Sequence, residues 1–577
     1  MLLDIDYITK NHIAVIRLFG KLIGEKEGSI IALDESFRPY IYVHPHDFDD
    51  CINELSELKL LKVEKLHKKD NGELKDFLKI TLKHPQDIYK LKDKIRDLKS
   101  VEDIREYDVP FYRRYLIDKA LFPMNIVEVQ GKILNSTRSS PNTKCIFEIQ
   151  SDPKNLESSL EELNMLSFNI EACNPKGMPM VKEDPIIMIS FSSNQGFQKV
   201  FSTKKSLLDF TETFLNEKEL IKKYVDTIQS EDPDIILGYN SDRFDFPYIK
   251  ERAERLGVPL KLGVDGSSLK IRNNGRRNAA MIKGRIHIDL YSNMRRNLQL
   301  EHHTLKRVYK ELFGEDKIEI PRHEVYTCWN NEGERLEKLF RYSLADVMAV
   351  TKIGEKMLPL SIELTRIVGQ PLFDVARMGS GKQVEWYLIR KAFEYGNVAP
   401  NKFGRYLRDV VGGHVKEPVK GLHTDIVYFD FRSLYPSIII SKNISPDTLI
   451  EDDTEKCHIT PEFGYKFRKT PQGFIPSVVG KLLENRIRVK SIMEESKDFS
   501  ERQMLNFQQE ALKRLTNTIY GLYNHSTFRW YSIECSEAIT AWGRDFLKKT
   551  MEKSEKHGFK PIYADTDGFY AILDRNE

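Results

Sequence analysis

The sequence predicts a multidomain protein of mixed α/β and α+β class. Its 577 residues exceed what one hydrophobic core usually holds, so roughly three or four domains of about 150 residues each are expected. Apolar residues make up 40% of the chain and charged residues 30%, which is typical of a folded protein rather than a disordered one. Strand patterns dominate the first half, and two long helical patterns lie in the last third.

Composition excludes several classes of protein. The formal net charge of +3 does not by itself indicate nucleic-acid binding, so any basic surface must be local. The N-terminus has no signal-peptide pattern and no segment reaches 18 continuous apolar residues, so we expect a cytoplasmic protein with no membrane contact. No CxxC pair occurs, which argues against a zinc module or a disulfide framework and favours reduced thiols at Cys51, Cys145, Cys173, Cys328, Cys457 and Cys535.

The first 350 residues contain two predicted folding patterns. Residues 1–130 read as a small α+β domain, with strands such as "HIAVIRLFGKLIG" followed by the helical stretch "HPQDIYKLKDKIRDL". From about residue 150, strand runs such as "MLSFNIEA" alternate with helical patterns such as "NEKELIKKYVDTIQS". This alternation predicts a sheet covered by helices.

Two helical patterns near the C-terminus predict an antiparallel helical hairpin. Residues 477–497 and 500–523 both show 3.6-residue periodicity, and the short "KDFS" between them folds one back on the other. Polar side chains repeat at helical spacing, so each set shares one face: Arg486 and Lys490 on the first helix, and Lys513, Asn517 and Tyr520 on the second. Ordinary solvated helix charges remain an alternative for each residue taken alone.

Carboxylates at strand ends predict a metal site. The Asp-Thr-Asp-Gly centre of "PIYADTDGFYAIL" predicts a hairpin with Asp565 and Asp567 at its tip. Taken alone, a turn of this composition usually has no role beyond reversing the chain. "IVYFDF" is predicted to be a buried strand that ends in Asp430, whose charge then requires a cation or hydrogen-bond donors. Side by side, these elements would hold two Mg²⁺ ions about 3.5–4 Å apart, the arrangement that promotes phosphoryl transfer.

These segments together resemble the family B DNA polymerases. "DFRSLYPSII" is similar to motif A of that family, "KRLTNTIYG" to motif B and "YADTDG" to motif C, and the similarity continues between the motifs. The resemblance implies an N-terminal domain, a ribonuclease-H-like 3′–5′ exonuclease domain, a palm and helical-hairpin fingers. The expected boundaries are 1–130 for the N-terminal domain, 131–350 for the exonuclease, 351–422 for a connector and the start of the palm, 423–476 and 524–577 for the palm, and 477–523 for the fingers.

The resemblance also implies roles for residues of the polymerase motifs. Asp430 and Asp567 would ligate two Mg²⁺ ions with support from Asp565, while a primer 3′-hydroxyl attacks the α-phosphate of a dNTP. Tyr435 would be the gate tyrosine that excludes a 2′-hydroxyl. The triphosphate would be bound by Arg486, Lys490 and Lys513, and the nascent base pair would be lined by Asn517 and Tyr520.

A second set of residues resembles the proofreading exonuclease motifs. "FNIEACN" supplies Glu171, "YNSDRFDFPY" supplies Asp245, and "YSLADV" supplies Tyr342 and Asp346. The three carboxylates would ligate metal ions, with the tyrosine orienting a water molecule. Asn169 stands where the family has an aspartate, and an amide lacks the charge that binds and polarises a hard cation. We therefore expect exonuclease activity to be severely reduced or absent.

The N-terminal region and the connector complete the resemblance. In the archaeal branch of the family a pocket captures template uracil, and the matching residues here are Tyr7, Pro39, Ile88, Pro110, Phe111 and Arg114. Ordinary small-domain core is the alternative interpretation of these positions. "VVGGHVKEP" resembles the family's Tyr-x-Gly-Gly connector, with Val410 in place of the tyrosine.

The resemblance also leads to an expectation about how the polymerase is assembled. The family's thumb, which grips the primer–template duplex, follows motif C, and the chain stops soon after that motif. We therefore expect the large catalytic subunit of a split polymerase, completed by a second chain that carries the thumb and contacts a sliding clamp. A non-catalytic DNA-binding or uracil-sensing subunit, or a shortened version of a longer polymerase, are the alternatives.

Overall fold

The structure is a computed structural model that describes residues 1–23, 28–134, 143–156, 162–172, 174–175, 177–273, 278–404, 409–451 and 456–573, apart from the side chains of residues 322 and 323. Within these ranges, no helix is both long enough and apolar enough to span a membrane. The cysteines in these ranges carry free thiols, as predicted, and Cys173 lies outside them.

The strands of the described ranges follow in chain order. They are β1 Leu2–Lys10, β2 Ile13–Leu22, β3 Gly28–Asp34, β4 Tyr40–Pro45, β5 Lys62–Asp70, β6 Glu73–Thr81, β7 Val101–Arg105, β8 Val127–Glu128, β9 Gly131–Leu134, β10 Thr143–Ile149, β11 Lys154–Asn155, β12 Met165–Ala172, β13 Ile186–Ser193, β14 Gln198–Ser202, β15 Thr211–Thr213, β16 Ile235–Gly238, β17 Lys270–Asn273, β18 Asn278–Met281, β19 Ile286–Asp289, β20 Val415–Lys416, β21 Ile426–Asp430, β22 Leu449–Ile450, β23 Cys457–Ile459, β24 Lys466–Arg468, β25 Phe559–Asp565 and β26 Gly568–Leu573.

The helices of the same ranges include one short 3₁₀ turn, Pro446–Thr448. The α-helices are α1 Phe48–Ser56, α2 Pro85–Arg96, α3 Phe111–Asp118, α4 Glu217–Glu231, α5 Asp245–Leu256, α6 Leu290–Asn297, α7 Leu305–Phe313, α8 Arg322–Asn330, α9 Glu334–Val368, α10 Leu372–Val375, α11 Ser380–Glu394, α12 Leu434–Ser441, α13 Phe474–Glu495, α14 Phe499–Leu522 and α15 Ile533–Glu555. The quoted strand, helix and hairpin patterns of the sequence are all confirmed as elements of the predicted type.

The chain forms two compact units. The first comprises the described residues within Met1–Phe37 and Tyr112–Gly379, and the second those within Arg38–Phe111 and Ser380–Glu577. Residues of the expected N-terminal domain, 1–130, therefore belong to both units. The six expected domain ranges are finer than this division and stay predictions.

A six-stranded sheet forms the centre of the first unit. Its strand order is β15-β14-β13-β12-β16-β19, with β12 antiparallel to β13 and parallel to β16. Strand β12 alternates, so Phe168 and Ile170 are buried while Asn169 and Glu171 share the more open face. Phe168 packs against Phe246 of α5 with ring centroids 4.9 Å apart. This packing places the first residue of α5 close to β12.

In the second unit, a four-stranded antiparallel sheet carries motifs A and C, and we call it the carboxylate sheet. Its strand order is β20-β25-β26-β21. One face is buried, where Ala564, Phe569 and Ala571 pack against Leu547 and Met551 of α15. The helix thus supports the two strands that carry the motif C hairpin.

The prediction that "IVYFDF" is a buried strand is wrong. Ile426, Val427 and Tyr428 of β21 are 48%, 37% and 52% exposed. The reason is position: β21 is an edge strand whose neighbour in the described part of the chain is β26 alone. Five strand-forming residues predict a strand, but they do not predict how many of its sides are covered.

The predicted helical hairpin is confirmed as α13 and α14, joined by residues 496–498. Apolar side chains of both helices are buried, among them Leu482 and Val489 of α13 and Leu505 and Leu512 of α14. The Asp498 carboxylate caps α14 by accepting from the backbone amides of Ser500 and Glu501, at 2.7 and 3.2 Å. The cap fixes where the second helix begins.

Candidate active sites

Backbone pairing gathers the three motif A and motif C carboxylates at one corner of the carboxylate sheet. Asp430 at the end of β21 lies opposite Gly568, and Asp565 at the end of β25 lies opposite the same glycine. The backbone amide of Phe431 donates to the carbonyl of Asp567 at 2.8 Å, which ties motif A to the tip of the motif C hairpin. Thr566 at that tip has φ of 57°, in the left-handed region.

The three carboxylates differ in their hydrogen bonds. Both oxygens of Asp565 accept side-chain hydrogen bonds, from Thr566 at 2.7 Å and from Tyr563 at 3.5 Å. Asp430 accepts from the Tyr428 hydroxyl through Oδ1 alone, at 3.2 Å. Within the described residues, the Asp567 carboxylate accepts no hydrogen bond from another side chain. Asp430 and Asp567 therefore keep carboxylate oxygens available to a metal ion, whereas both oxygens of Asp565 already accept a hydrogen bond.

Electrostatic repulsion makes this corner a candidate cation site. Partial burial and, next, the neighbouring charge of Asp430 raise the pKa of Asp567, with a smaller contribution from Asp565. A cation between the carboxylates would remove that repulsion. The donors are all carboxylate oxygens, which suit Mg²⁺.

Motifs A and B meet at a pair of tyrosine rings. Tyr435 of α12 and Tyr520 of α14 lie with ring centroids 4.4 Å apart, tilted by 42°. A Cβ on Gly543 of α15 would lie 2.9 Å from the Tyr435 ring, so that glycine leaves the space the ring occupies. Burial, and then the charges of Tyr520 and Asp567, raise the pKa of Tyr435 to about 12. The negative charge of Asp567 at the carboxylate corner thus acts on the Tyr435 hydroxyl.

The predicted cations of the helical hairpin lie on exposed or half-buried positions. Arg486 donates through Nε to Gln509 of α14 at 3.4 Å, which links the two helices. Lys490 is half-buried, and Lys513 and Asn517 are exposed on α14. None of these four side chains makes a direct contact with the carboxylates in the described structure, so their convergence on a substrate stays a prediction.

The connector runs beside the tip of the motif C hairpin. The Thr566 backbone amide donates to the carbonyl of His414 at 2.9 Å, and a Cβ on Gly413 would lie 3.0 Å from the Thr566 hydroxyl. Arg544 of α15 donates to the carbonyls of Val411 and Gly412 at 2.9 and 2.6 Å. Sequence reasoning missed Arg544, because nothing in its helix distinguishes it from a surface arginine.

The five predicted exonuclease residues line one cavity of about 1060 Å³, which we call the Glu171 cavity. Asn169 donates through Nδ2 to Glu171 Oε1 at 3.0 Å. The backbone amide of Ile170 donates to Asp245 Oδ1 at 3.2 Å, which joins α5 to β12. Tyr342 and Asp346 approach from α9, where they are one helical turn apart. The structure thus brings together residues from three separate motifs.

Burial gives the carboxyl groups of the Glu171 cavity unusual pKa values. Burial and then the charges of Asp346 and Asp245 raise the pKa of Glu171 to about 8, and burial raises the pKa of Asp245 to about 7. Burial also raises the pKa of Asp346, while Lys317 opposes this shift. Such mutual repulsion is what a bound divalent cation relieves.

Lys317 is a cation of this site that sequence reasoning missed. Its ammonium forms an ion pair with Asp346 and lies 5.0 Å from the centroid of the Tyr342 ring. Its side chain is only 7% exposed. No periodicity connects "GEDKIEI" to the later motif, so only the tertiary structure reveals this contact. Lys317 and the amide of Asn169 already compensate two of the three carboxylates.

Neither site is a closed metal cage. No group of three or more Asp, Glu, His or Cys side chains in the described ranges is arranged tightly enough to hold a metal ion as it stands. The donor chemistry nevertheless fits Mg²⁺ at the carboxylate corner, where every donor is an acid. The fit is poorer in the Glu171 cavity, where one of the candidate ligands, Asn169, is an amide.

The six residues of the expected uracil pocket are distributed over both compact units. Tyr7 lies on β1, Pro39 precedes β4, Ile88 is buried on α2, and Pro110 precedes α3. Phe111 and Arg114 are buried residues of α3, 5% and 3% exposed. Whether they form one pocket stays a prediction.

Comparison with known proteins decides the family. Residues 102–308 match the family described as DNA polymerase family B, exonuclease domain, and residues 371–573 match DNA polymerase family B. A DNA polymerase of Desulfurococcus sp. (strain Tok) is 42% identical over 588 residues, which cover 99% of this chain and 71% of that protein. The DNA polymerase of Thermococcus gorgonarius is 41% identical with the same coverage.

The chain is a family B DNA polymerase. The family B polymerase of the hyperthermophilic archaeon Pyrobaculum calidifontis has the same fold, with a TM-score of 0.87 and 32% identity over 99% of this chain and 74% of that one. The polymerase is therefore of archaeal type, and it is a DNA-directed DNA polymerase with an exonuclease domain.

The Asn169→Asp variant of the polymerase tests whether the Glu171 cavity is short of one ligand charge. Without metal, we expect a lower free energy of unfolding, by about 1–3 kcal/mol, because a hydrogen-bond donor to Glu171 is lost and a further acid is added. Excess MnCl₂ should raise the unfolding midpoint of the variant more than that of the unchanged chain. Thermal unfolding with and without MnCl₂ measures both; equal shifts in the two proteins would contradict the interpretation.

Proposed function

We propose that the polymerase adds dNTPs to a primer 3′-hydroxyl at the corner formed by Asp430, Asp565 and Asp567. The observation that carries this proposal is the pairing of Asp430 and Asp565 with the same glycine, together with the Phe431–Asp567 hydrogen bond. Two bound Mg²⁺ ions would activate the attacking hydroxyl and stabilise the leaving pyrophosphate. Asp430 and Asp567 would hold them, since their oxygens are available, and Asp565 would support the tip of the hairpin.

The helices that adjoin this corner supply the remaining proposed roles. Tyr435, held between Tyr520 and Gly543, would lie under the sugar of the incoming nucleotide and exclude a 2′-hydroxyl. Asn517 and Tyr520 would line the nascent base pair. The triphosphate would be bound by cations of the helical hairpin, which stabilise charge on the transferred group: Arg486, Lys490 and Lys513. Primer–template DNA and dNTPs are the substrates.

Asp430→Asn tests the carboxylate corner. We expect single-nucleotide incorporation to fall by about 100- to 1000-fold, because a neutral amide loses several kcal/mol of stabilisation for a divalent cation. The measurement is extension of a labelled primer–template with MgCl₂ and dNTPs. Asp316→Asn is the matched control, since Asp316 is an exposed carboxylate that pairs with Lys310 on the surface. An Asp430→Asn variant as active as the control would contradict the proposed site.

We propose further that proofreading by this polymerase is severely reduced or absent. The supporting observations are the amide of Asn169 at a ligand position and the Lys317–Asp346 ion pair, which together lower the attraction of the Glu171 cavity for cations. Glu171, Asp245 and Asp346 would remain as ligands, with Tyr342 as the residue that orients water. One ligand charge fewer weakens both the binding and the activation that hydrolysis needs.

Digestion of 3′-mispaired DNA tests this loss of proofreading. We expect Asn169→Asp to shorten the mispaired primer about 100-fold faster than the unchanged chain, from the restored cation stabilisation. Asn169→Ala is the control and should be no faster than the unchanged chain. If the unchanged chain digests the mispaired primer as fast as Asn169→Asp does, the proposal is wrong.

Template uracil is a proposed regulatory ligand of the N-terminal region. A pocket formed by Tyr7, Pro39, Ile88, Pro110, Phe111 and Arg114 would admit uracil and exclude thymine, whose 5-methyl group needs more space. What supports the proposal is the resemblance of these positions to the archaeal pocket and the burial of four of them, Pro39, Ile88, Phe111 and Arg114.

Primer extension on paired templates tests the uracil pocket. One template carries uracil and the other thymine at the same position, so the two differ by a single methyl group. We expect extension to stop a few nucleotides before uracil and to pass thymine. Equal read-through of both templates would argue against the pocket.

The exposed edge strand of the carboxylate sheet supports a proposal about assembly. Ile426, Val427 and Tyr428 of β21 are between 37% and 52% exposed, and consecutive exposed apolar residues on an edge strand favour pairing or packing with another segment. We propose that a duplex-gripping thumb is supplied by a second chain that docks at this edge and also contacts a sliding clamp. The primer-extension assay above, repeated with such a chain, should give longer products; no stimulation would count against a separate chain.

A further inference from the structure

The strands that carry the catalytic carboxylates repeat one short pattern. β21 contains Tyr428-x-Asp430 and β25 contains Tyr563-x-Asp565. Because side chains two residues apart lie on the same face of a strand, each tyrosine stands beside its own aspartate. The hydroxyl of Tyr428 donates to Asp430 Oδ1 at 3.2 Å, and that of Tyr563 to Asp565 Oδ2 at 3.5 Å. The same local geometry thus occurs twice at the carboxylate corner.

The two tyrosines are held by a third ring. Tyr570 of β26 is the cross-strand partner of both Tyr428 and Tyr563. Its ring centroid lies 4.6 Å from that of Tyr428 and 6.0 Å from that of Tyr563, at interplanar angles of 36° and 28°. Cross-strand aromatic pairs of this kind stabilise a sheet and limit the rotation of each ring. The stack therefore restricts where the Tyr428 hydroxyl can point.

Gly568 provides the space that the Tyr428 hydroxyl needs. A Cβ at residue 568 would lie 2.4 Å from this hydroxyl and 2.8 Å from Cζ of the same ring. The backbone of Gly568 does not have a positive φ, so the lack of a side chain matters here for space rather than for conformation. Gly568 is also the residue that pairs with Asp430 across the strands. Glycine at position 568 lets the Tyr428 ring lie against β26 and reach the Asp430 carboxylate.

We infer that Tyr428 is a positioning residue for Asp430. Its hydroxyl donates to Oδ1 of the carboxylate, so Oδ2 stays available to the cation that the proposed function requires, and the inference rests on that function. Hydrogen bonds that orient a ligand typically change metal affinity or activity by about 10–100-fold when removed. The competing interpretation is that Tyr428 only packs on an exposed sheet face, in which case its hydroxyl has no role.

Tyr428→Phe tests the inference because it removes the hydroxyl and keeps the ring stack. Binding of Mn²⁺ alone is measured by electron paramagnetic resonance in an Asp346→Ala background, where the Glu171 cavity has lost a ligand. We expect the Kd for Mn²⁺ to rise by about 10–100-fold. In primer extension, kcat should fall with the KM for dNTP unchanged, and the loss should shrink as the metal concentration rises. The unfolding midpoint of the variant should equal that of the unchanged chain.

Two further variants make the test specific. Gly568→Ala should weaken Mn²⁺ binding although Tyr428 is present, because its Cβ would displace the Tyr428 hydroxyl and would also lie 2.9 Å from the carbonyl oxygen of Phe429. The double variant with Tyr428→Phe should be no weaker than Gly568→Ala alone, because the hydrogen bond from Tyr428 is already lost in Gly568→Ala. Tyr395→Phe is the control: it removes the hydroxyl of a 37% exposed tyrosine that packs on Phe474.

The outcomes separate this inference from the proposed function. Unchanged Mn²⁺ affinity in Tyr428→Phe overturns the inference, as does a lower unfolding midpoint with unchanged affinity, which assigns the residue to packing alone. Asp430→Asn in the same Mn²⁺ measurement tests the metal site itself. If Asp430→Asn binds Mn²⁺ like the unchanged chain, the proposed function fails whatever Tyr428→Phe does.

Discussion

Backbone hydrogen bonding among β21, β25 and β26 determines where the polymerase carboxylates lie. The strands place Asp430 and Asp565 opposite one glycine, and the Phe431 amide binds the carbonyl of Asp567. A shift of this register by one residue would turn each side chain to the opposite face of the sheet. The packing of α15 under the sheet and the connector beside the hairpin tip both depend on this pairing.

The two carboxylate sites of the enzyme deal with their charge differently. At the carboxylate corner the acids are exposed, and two of them keep oxygens that no other side chain of the described residues binds. In the Glu171 cavity the acids are more deeply buried, which raises the pKa of Glu171 to about 8, and Lys317 pairs with one of them. The first site is therefore suited to recruit divalent cations, whereas the second has part of its charge compensated from within.

Much of this organisation is predictable from the sequence because it depends on local patterns. A run of strand-forming residues predicted β12, helical periodicity predicted α13 and α14, and the Asp-Gly signal predicted the hairpin that carries Asp565 and Asp567. The exposure of β21 was not predictable, since the residues of an edge strand do not encode what covers it. Lys317 reaches Asp346 only through tertiary packing. The position of Tyr428 beside Asp430 was predictable, because the Tyr-x-Asp pattern that two strands share is present in the sequence.

We propose that Asp430 and Asp567 hold the metal ions of nucleotide addition, whereas the Glu171 cavity binds metal poorly. The most direct measurement is an anomalous difference map from crystals of the polymerase with primer–template, a non-hydrolysable dNTP and MnCl₂. We expect two strong manganese peaks in contact with Asp430 and Asp567, and weak or no density beside Glu171. Strong peaks in the Glu171 cavity with none at Asp430 and Asp567 would contradict it.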